Sequence, residues 1–241
     1  MESASVMPRR LPGRGSLVTL PALVLAALGL LAVLDLVSIL YTLSYHDLIR
    51  RIIEGRDVTL AEAADADHRQ NVLGWTQIGL FLGVAVVFIV WFRAAYGNLP
   101  KLGIGGLRWH RLWAIVSWLV PIANLFLPKR LANDVWRGSD PRLSAEAVLD
   151  PDVPVPWWHS AWWVLFIADG FFDRYAFQKW RDAGSLDSLS SASLALVASY
   201  AFDLVAVAFA ALVVFRTARR QRRRTQMLLG AVLPRSRPQR G

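Results

Sequence analysis

Five continuously apolar stretches alternate with polar segments along the chain: Leu17–Tyr41, Gly74–Phe92, Trp109–Leu127, Trp157–Phe172 and Ala192–Phe215. The first and last are about 25 residues, enough at ~1.5 Å per residue to cross a ~30 Å hydrocarbon core. None shows the polar–apolar alternation of a membrane strand. In hydrocarbon a single segment satisfies its own backbone only as a helix. The pattern therefore predicts an all-α fold, a polytopic helical membrane bundle with five membrane-embedded helices. They form one domain over residues 17–216. A basic N-terminal tail (1–16) precedes it, and a basic, disordered cytoplasmic tail (217–241) follows.

The third stretch is the weakest span. It holds His110, Arg111, Pro121 and Asn124, and its uncharged part from Leu112 is about 16 residues, ~24 Å. Pro121 removes a backbone donor and should kink the helix. The segment is expected to be short, kinked at Pro121, and open to a re-entrant path. Residues 42–73 are rich in acids, and Thr59 and Glu62 have capping-box spacing ahead of a short helix. Residues 138–156, with Pro141, Pro151, Pro154 and Pro156, read as an irregular loop.

Composition agrees with a membrane protein: 55% of residues are hydrophobic and mean hydropathy is +0.37. Trp75 and Trp91 bracket the second stretch, and Trp157, Trp158, Trp162 and Trp163 open the fourth, as interfacial anchors do. The absence of cysteine excludes disulfides, thiolate catalysis and Cys-ligated metals. Arg9, Arg10 and Arg14 precede an apolar run too long for a signal-peptide core, so an uncleaved first helix is expected.

The net charge of +9 is concentrated at one end. Nine arginines follow Phe215 with no acid among them, the mark of a cytoplasmic C-terminus and of contact with anionic lipid headgroups. No aromatic residue interleaves with them for base stacking, which argues against nucleic acid. Five full crossings would place 17 Lys and Arg inside and 10 outside. If the third stretch enters and returns on one side, both termini are cytoplasmic and the division becomes 20 to 7. Charge favours the re-entrant path; length leaves both open.

Three carboxylates interrupt apolar stretches: Asp35, Asp169 and Asp203. An ionised Asp at the bilayer centre costs at least ~2.5–3.5 kcal/mol, so each should face the bundle interior. Either they hydrogen-bond neighbouring helices through residues such as Ser38, Tyr41 and Tyr200, or they line a cavity for a proton or cation. The four histidines lack metal-site spacing. No nucleophile elbow or phosphate-binding glycine motif is present. No enzyme, no cofactor and no metal are expected.

The most specific string is Trp118-Leu119-Val120-Pro121-Ile122-Ala123-Asn124-Leu125, followed by Pro128 and by Trp136-Arg137-Gly138-Ser139. On one helix, Trp118, Pro121, Asn124 and Pro128 would share a face, with Asn124 capping backbone freed by Pro121. Together with Trp91, Asn98 and Leu99, the string resembles the bacterial membrane-protein family catalogued as domain of unknown function 4328. One departure is Ala94, where the family usually has Arg three residues after its first Trp; Arg93 sits one place early. The resemblance covers roughly Leu17 to Arg224 and implies a multi-helix membrane protein without established activity.

The leading expectation is an integral protein of the bacterial cytoplasmic (inner) membrane, acting as a structural or partner-binding component. The alternative is a small-solute or ion permease using the intramembrane carboxylates as a homo-oligomer, since no internal repeat is present. Convergence of Asp35, Asp169 and Asp203 on a cavity would favour the permease; separate packed partners would favour the first reading.

Overall fold

The computed structural model describes residues 11–232, which fold into seven helices and two two-residue strands. A π turn at Gly15–Thr19 leads into α1 (Leu20–Ile53), followed by α2 (Leu60–Gly97), a 3-10 turn (Pro100–Leu102) and β1 (Ile104–Gly105). Then come α3 (Trp113–Leu119), α4 (Pro121–Asn124), α5 (Leu127–Gly138), β2 (Ala147–Val148), α6 (Trp157–Arg181) and α7 (Leu186–Val232). Three of these segments are long and apolar enough to cross a membrane: Gly15–Ile53, Leu60–Leu102 and Leu186–Ala231. At most 33% of the residues in their most apolar windows are buried. On α1, Leu30, Val33, Leu36 and Leu40 are each more than half exposed. Apolar surface on that scale suits hydrocarbon, not water.

The long helices outrun their apolar cores. α1 continues through the polar Thr42–Arg51 segment and closes on Gly55, whose φ of +70° supplies the left-handed residue of a Schellman motif. The Arg56 amide donates to Arg51 O (2.9 Å) and Gly55 to Ile52 O (3.1 Å). The short helix expected near Thr59 is the first turn of α2, capped by a hydrogen bond from the Glu62 amide to Thr59 Oγ1 (3.1 Å). No proline separates it from the second apolar run, so one helix carries both. The alanine-rich, uninterrupted sequence also carries α7 through Arg216–Arg224 to Val232, where a disordered tail was expected. Arg9, Arg10, Arg235, Arg237 and Arg240 lie outside the described residues.

The third stretch departs most from expectation. It is not one kinked helix but a seven-residue α3, a single turn of α4 and the polar α5. Proline disfavours helical geometry in the residue before it, and Val120 is extended (φ −90°, ψ 114°). Trp118, Pro121, Asn124 and Pro128 are therefore shared among three helices and form no common face. α6 begins at Trp157 as expected but runs on to Arg181, carrying Asp169, Asp173 and Arg174, and is not among the three apolar spans.

The chain divides into two compact units. The first comprises residues 11–23, 88–156 and 214–232. Its centre is Arg224, 1% exposed. The guanidinium donates to Leu102 O through Nε (3.1 Å) and Nη2 (2.9 Å), to Ser144 O (2.9 Å), and through Nη1 to Asp140 O (2.6 Å) and Leu143 O (3.1 Å). One turn earlier, Gln221 donates to Ala95 O (2.8 Å) and accepts from Asn98 Nδ2 (3.0 Å), while Ser16 donates to Asn98 Oδ1 (3.3 Å). The start of α1, the end of α2, the loop after α5 and the end of α7 are thus tied together. β1 and β2 pair in parallel, Ile104 opposite Ala147. Gly138 lets Leu99 approach: a Cβ there would sit 2.9 Å from Leu99 Cδ2.

The second unit comprises Val24–Val87 and Trp157–Val213. Buried on α1 here are Val24, Leu28, Leu31, Asp35, Ser38, Thr42, Tyr45 and Ile49, alternating three and four apart as at a left-handed helix–helix seam, with Leu48 beside them. Tyr45 donates to Asp67 (2.6 Å) and packs against Trp180 (5.5 Å between ring centroids). His46 Nδ1 meets Ser193 Oγ (3.0 Å) and Ser190 O (3.1 Å). Gln70 donates to Thr42 (3.2 Å). Small and hydroxyl-bearing residues make these crossings close and polar.

Replacing Arg224 with Leu is expected to cost about 3 kcal/mol or more, because buried carbonyls lose their donors together. Arg224→Lys should recover only part, since one ammonium cannot fork across four carbonyls. Thermal unfolding in detergent measures this; a Leu variant as stable as wild type would show the network to be dispensable.

Candidate functional site

The second unit holds the three carboxylates that interrupt the apolar runs. Asp35 on α1 is wholly buried, and Asp169 on α6 is 8% exposed. Asp203 on α7 lies within side-chain hydrogen-bonding reach of both. The helix registers bring them together: Asp35 sits in the α1 seam, and Ser193, Tyr200, Asp203 and Val207 recur with the same three-and-four spacing on α7. Like charges gathered this closely repel, so the trio forms one electrostatic unit.

Neighbouring groups extend the cluster. Gln77 Nε2 donates to Asp35 Oδ1. Asp173, one turn after Asp169, accepts a hydrogen bond from Ser199 (2.5 Å). Asp35 Oδ2, Asp169 Oδ1 and Ser38 Oγ are buried with no hydrogen-bond partner. Asp203, Asp173 and Gln77 also line a cavity of about 670 Å³ within this unit, whose wall includes Trp75, Phe177 and Trp180. Among the described residues no group of three His, Asp or Glu side chains is placed to hold a metal ion. Gln77 and Asp173 were not singled out from the sequence. Gln77 is an uncharged residue near the start of the second apolar stretch and carries no charge cost to flag it, whereas Asp173 lies one turn beyond Asp169, just past the apolar run.

The motif residues gather in the first unit. Trp91, 2% exposed, packs edge-on against Phe88 (5.3 Å), and Trp118 meets Phe88 (5.5 Å) and Phe92 (5.6 Å). Asn98 bridges Ser16 and Gln221. Pro121 opens α4, and Pro128 is buried in the first turn of α5. The Asn124 side-chain oxygen is buried without a partner, so it does not cap the freed backbone as expected. Trp136 lies under the Arg220 guanidinium, 4.3 Å from the ring centroid, and Arg220 also pairs with Asp140 (2.6 Å). Ser139 donates to Val135 O (2.5 Å).

Electrostatics follow from these contacts. Burial pushes Asp134 on α5 up to about 6 against the pull of Arg137 and Arg108. For Asp140 burial acts upward too, yet the Arg142 hydrogen bonds and the Arg220 charge hold it below the usual carboxylate range. Arg220, Gln221 and Arg224 were read from the sequence only as part of a basic tail. Their signal is the same three-and-four spacing, continued from Val214 and Thr217. The motif residues thus meet their neighbours by packing and hydrogen bonding.

No curated protein and no solved structure matches the chain. The family described as Domain of unknown function (DUF4328) matches residues 54–220, most of the sequence and all of the motif from Trp91 to Ser139. That extent, with the motif packed as one connected cluster, makes this chain a member of the DUF4328 family.

Proposed function

We propose that this is a non-enzymatic, multi-pass protein of the bacterial cytoplasmic membrane that binds and passes a small solute or ion at its intramembrane carboxylates. The observation that carries the reading is the meeting of Asp35 and Asp169 at Asp203, which itself lines a cavity. Buried carboxylates of purely structural use would each be satisfied by a packed neighbour. Here two oxygens and the Ser38 hydroxyl have none. A purely structural or partner-binding component therefore becomes the second choice. The helices carry no inverted repeat, so a continuous path would be completed by a second copy.

The first unit's own hydrogen bonds support a sidedness. Ser16, Asn98 and Gln221 are linked, and Arg224 bonds to the loop at 140–144. That favours both chain ends and everything from Asn98 to Ser144 on one face of the membrane, with the Pro121 segment entering and returning without crossing. The four membrane passages would then be α1, α2, α6 and α7, with Lys and Arg divided 20 to 7 in favour of that face. The positive-inside rule makes it cytoplasmic. Arg216, Arg219 and Arg223, exposed on α7, remain free for anionic headgroups.

Three outcomes test this reading. A C-terminal reporter active only outside the cytoplasm should be silent, and Gly13→Cys should resist an impermeant thiol reagent in intact cells; efficient labelling would overturn the shared-face topology. Asp203→Asn, which keeps size and hydrogen bonding, should express near wild type, whereas Asp203→Leu should lose yield and detergent stability by about 1–3 kcal/mol. In proteoliposomes holding a pH gradient, at least one cation from a panel of sodium, potassium, methylammonium and lipophilic cations should collapse the gradient with wild type but not with Asp203→Asn. No response to any cation would sink the permease reading.

A further inference from the structure

We infer that the cavity of the second unit takes a monovalent lipophilic cation with an aromatic or bulky apolar body, its charge seated against Asp203 and Asp173. The inference rests on the permease reading and specifies its ligand. A volume of about 670 Å³ is the size of sites that hold drug-like molecules. Its walls are mainly aromatic and aliphatic: Trp75, Phe81, Phe177 and Trp180 face it alongside Leu31 and Leu196. Aromatic faces attract cations, more strongly when water is excluded. Trp75 and Phe177 are each more than half exposed, so the wall is open at its edge, and a ligand dissolved in the lipid can enter sideways.

The acids set the sign of the ligand. Asp173 and Asp203 outnumber Arg174 in the lining, so an anion would meet net repulsion, and a neutral apolar molecule would leave the excess acid without a counter-charge. A small inorganic cation fits poorly. Such ions need six or more converging oxygens, and among the described residues no three acidic or histidine side chains are placed to hold one. A bulky cation needs no inner ligand sphere, only charge complementarity and apolar surface.

Behind the cavity wall, Asp35 is wholly buried with Oδ2 unpartnered, and it is joined to the cavity through Gln77 and Asp203. This gives binding an acid–base step. The charged groups that face Asp203 are Asp35 from α1, Asp169 and Asp173 from α6, with Arg174 at the cavity edge. Tyr200 contributes from α7, and α2 contributes only the neutral Gln77. An arriving cation displaces a proton from this group of crowded carboxyls, which cannot all be ionised in an apolar surround. The O–H bond breaks heterolytically, its electron pair stays on the carboxylate, and the proton leaves to water. No electron moves.

The test uses the full chain in mild detergent and two ions of matched shape, tetraphenylphosphonium and tetraphenylborate. Calorimetry in two buffers of different ionisation enthalpy should show saturable tetraphenylphosphonium binding with proton release and no saturable tetraphenylborate binding. Asp203→Asn should weaken the cation at least tenfold and abolish the proton release. Phe177→Ala, which removes an exposed wall residue, should weaken it several-fold while proton release per bound cation persists. Equal binding of the two ions, or undiminished binding in Asp203→Asn that still shows the wild-type helical circular dichroism, overturns the inference. If methylammonium or sodium collapses the pH gradient in proteoliposomes while tetraphenylphosphonium does not bind, the permease reading stands and this ligand class falls.

Discussion

Carbonyls left over where a helix ends or a loop turns need donors, and in the first unit many of them depend on one side chain. The 3-10 turn at Pro100–Leu102 and the loop after α5 each present backbone oxygens that no regular structure satisfies, and Arg224 supplies four of them. A buried guanidinium is costly unless all its donors are used. Fixing the carbonyls fixes the cation, and fixing the cation fixes the register of α7. Gln221 and Asn98 then align one turn away, and Arg220 lies over Trp136 and against Asp140. Two of the motif residues, Asn98 and Trp136, bear directly on this end of the helix.

The second unit solves a different problem with the same spacing. A seam repeating every three and four residues would normally be filled by leucine and small residues, but on α1 it carries Asp35, Ser38, Thr42 and Tyr45 in succession. Asp35, Thr42 and Tyr45 find partners inside the bundle, and α2 supplies all three: Gln77, Gln70 and Asp67. Polar pairing of this kind fixes which helix faces which, where apolar packing in hydrocarbon alone is permissive. Ser38 and one oxygen of Asp35 are left over, and there the seam does more than pack.

Much of this was legible in the residues. The apolar runs predicted where the long helices pass, and Pro121 predicted the break, because hydrophobic length and a missing donor are local properties. The three carboxylates stood out for the cost of charge in an apolar run. What stayed hidden was non-local. Arg224 sits in a row of arginines whose plain meaning is sidedness, and nothing near it in sequence shows that carbonyls some 80 and 120 residues earlier need it. The overrun of α1 and α2 past their apolar cores was also missed, since length of hydrophobicity was read as length of helix. The family resemblance located the motif, but only the packing showed that it serves α7 and not a pore.

Arg224 is also made after every carbonyl it binds. Ribosomes add roughly 5–20 residues per second, so the carbonyls at 102 and 140–144 emerge several seconds before their donor. Until then water or other donors must satisfy those carbonyls, while the contacts of Trp91 and Trp118 with Phe88 and Phe92 can form without it. The order of synthesis thus makes the closing of this network a late event, one that a chain interrupted before codon 224 cannot reach.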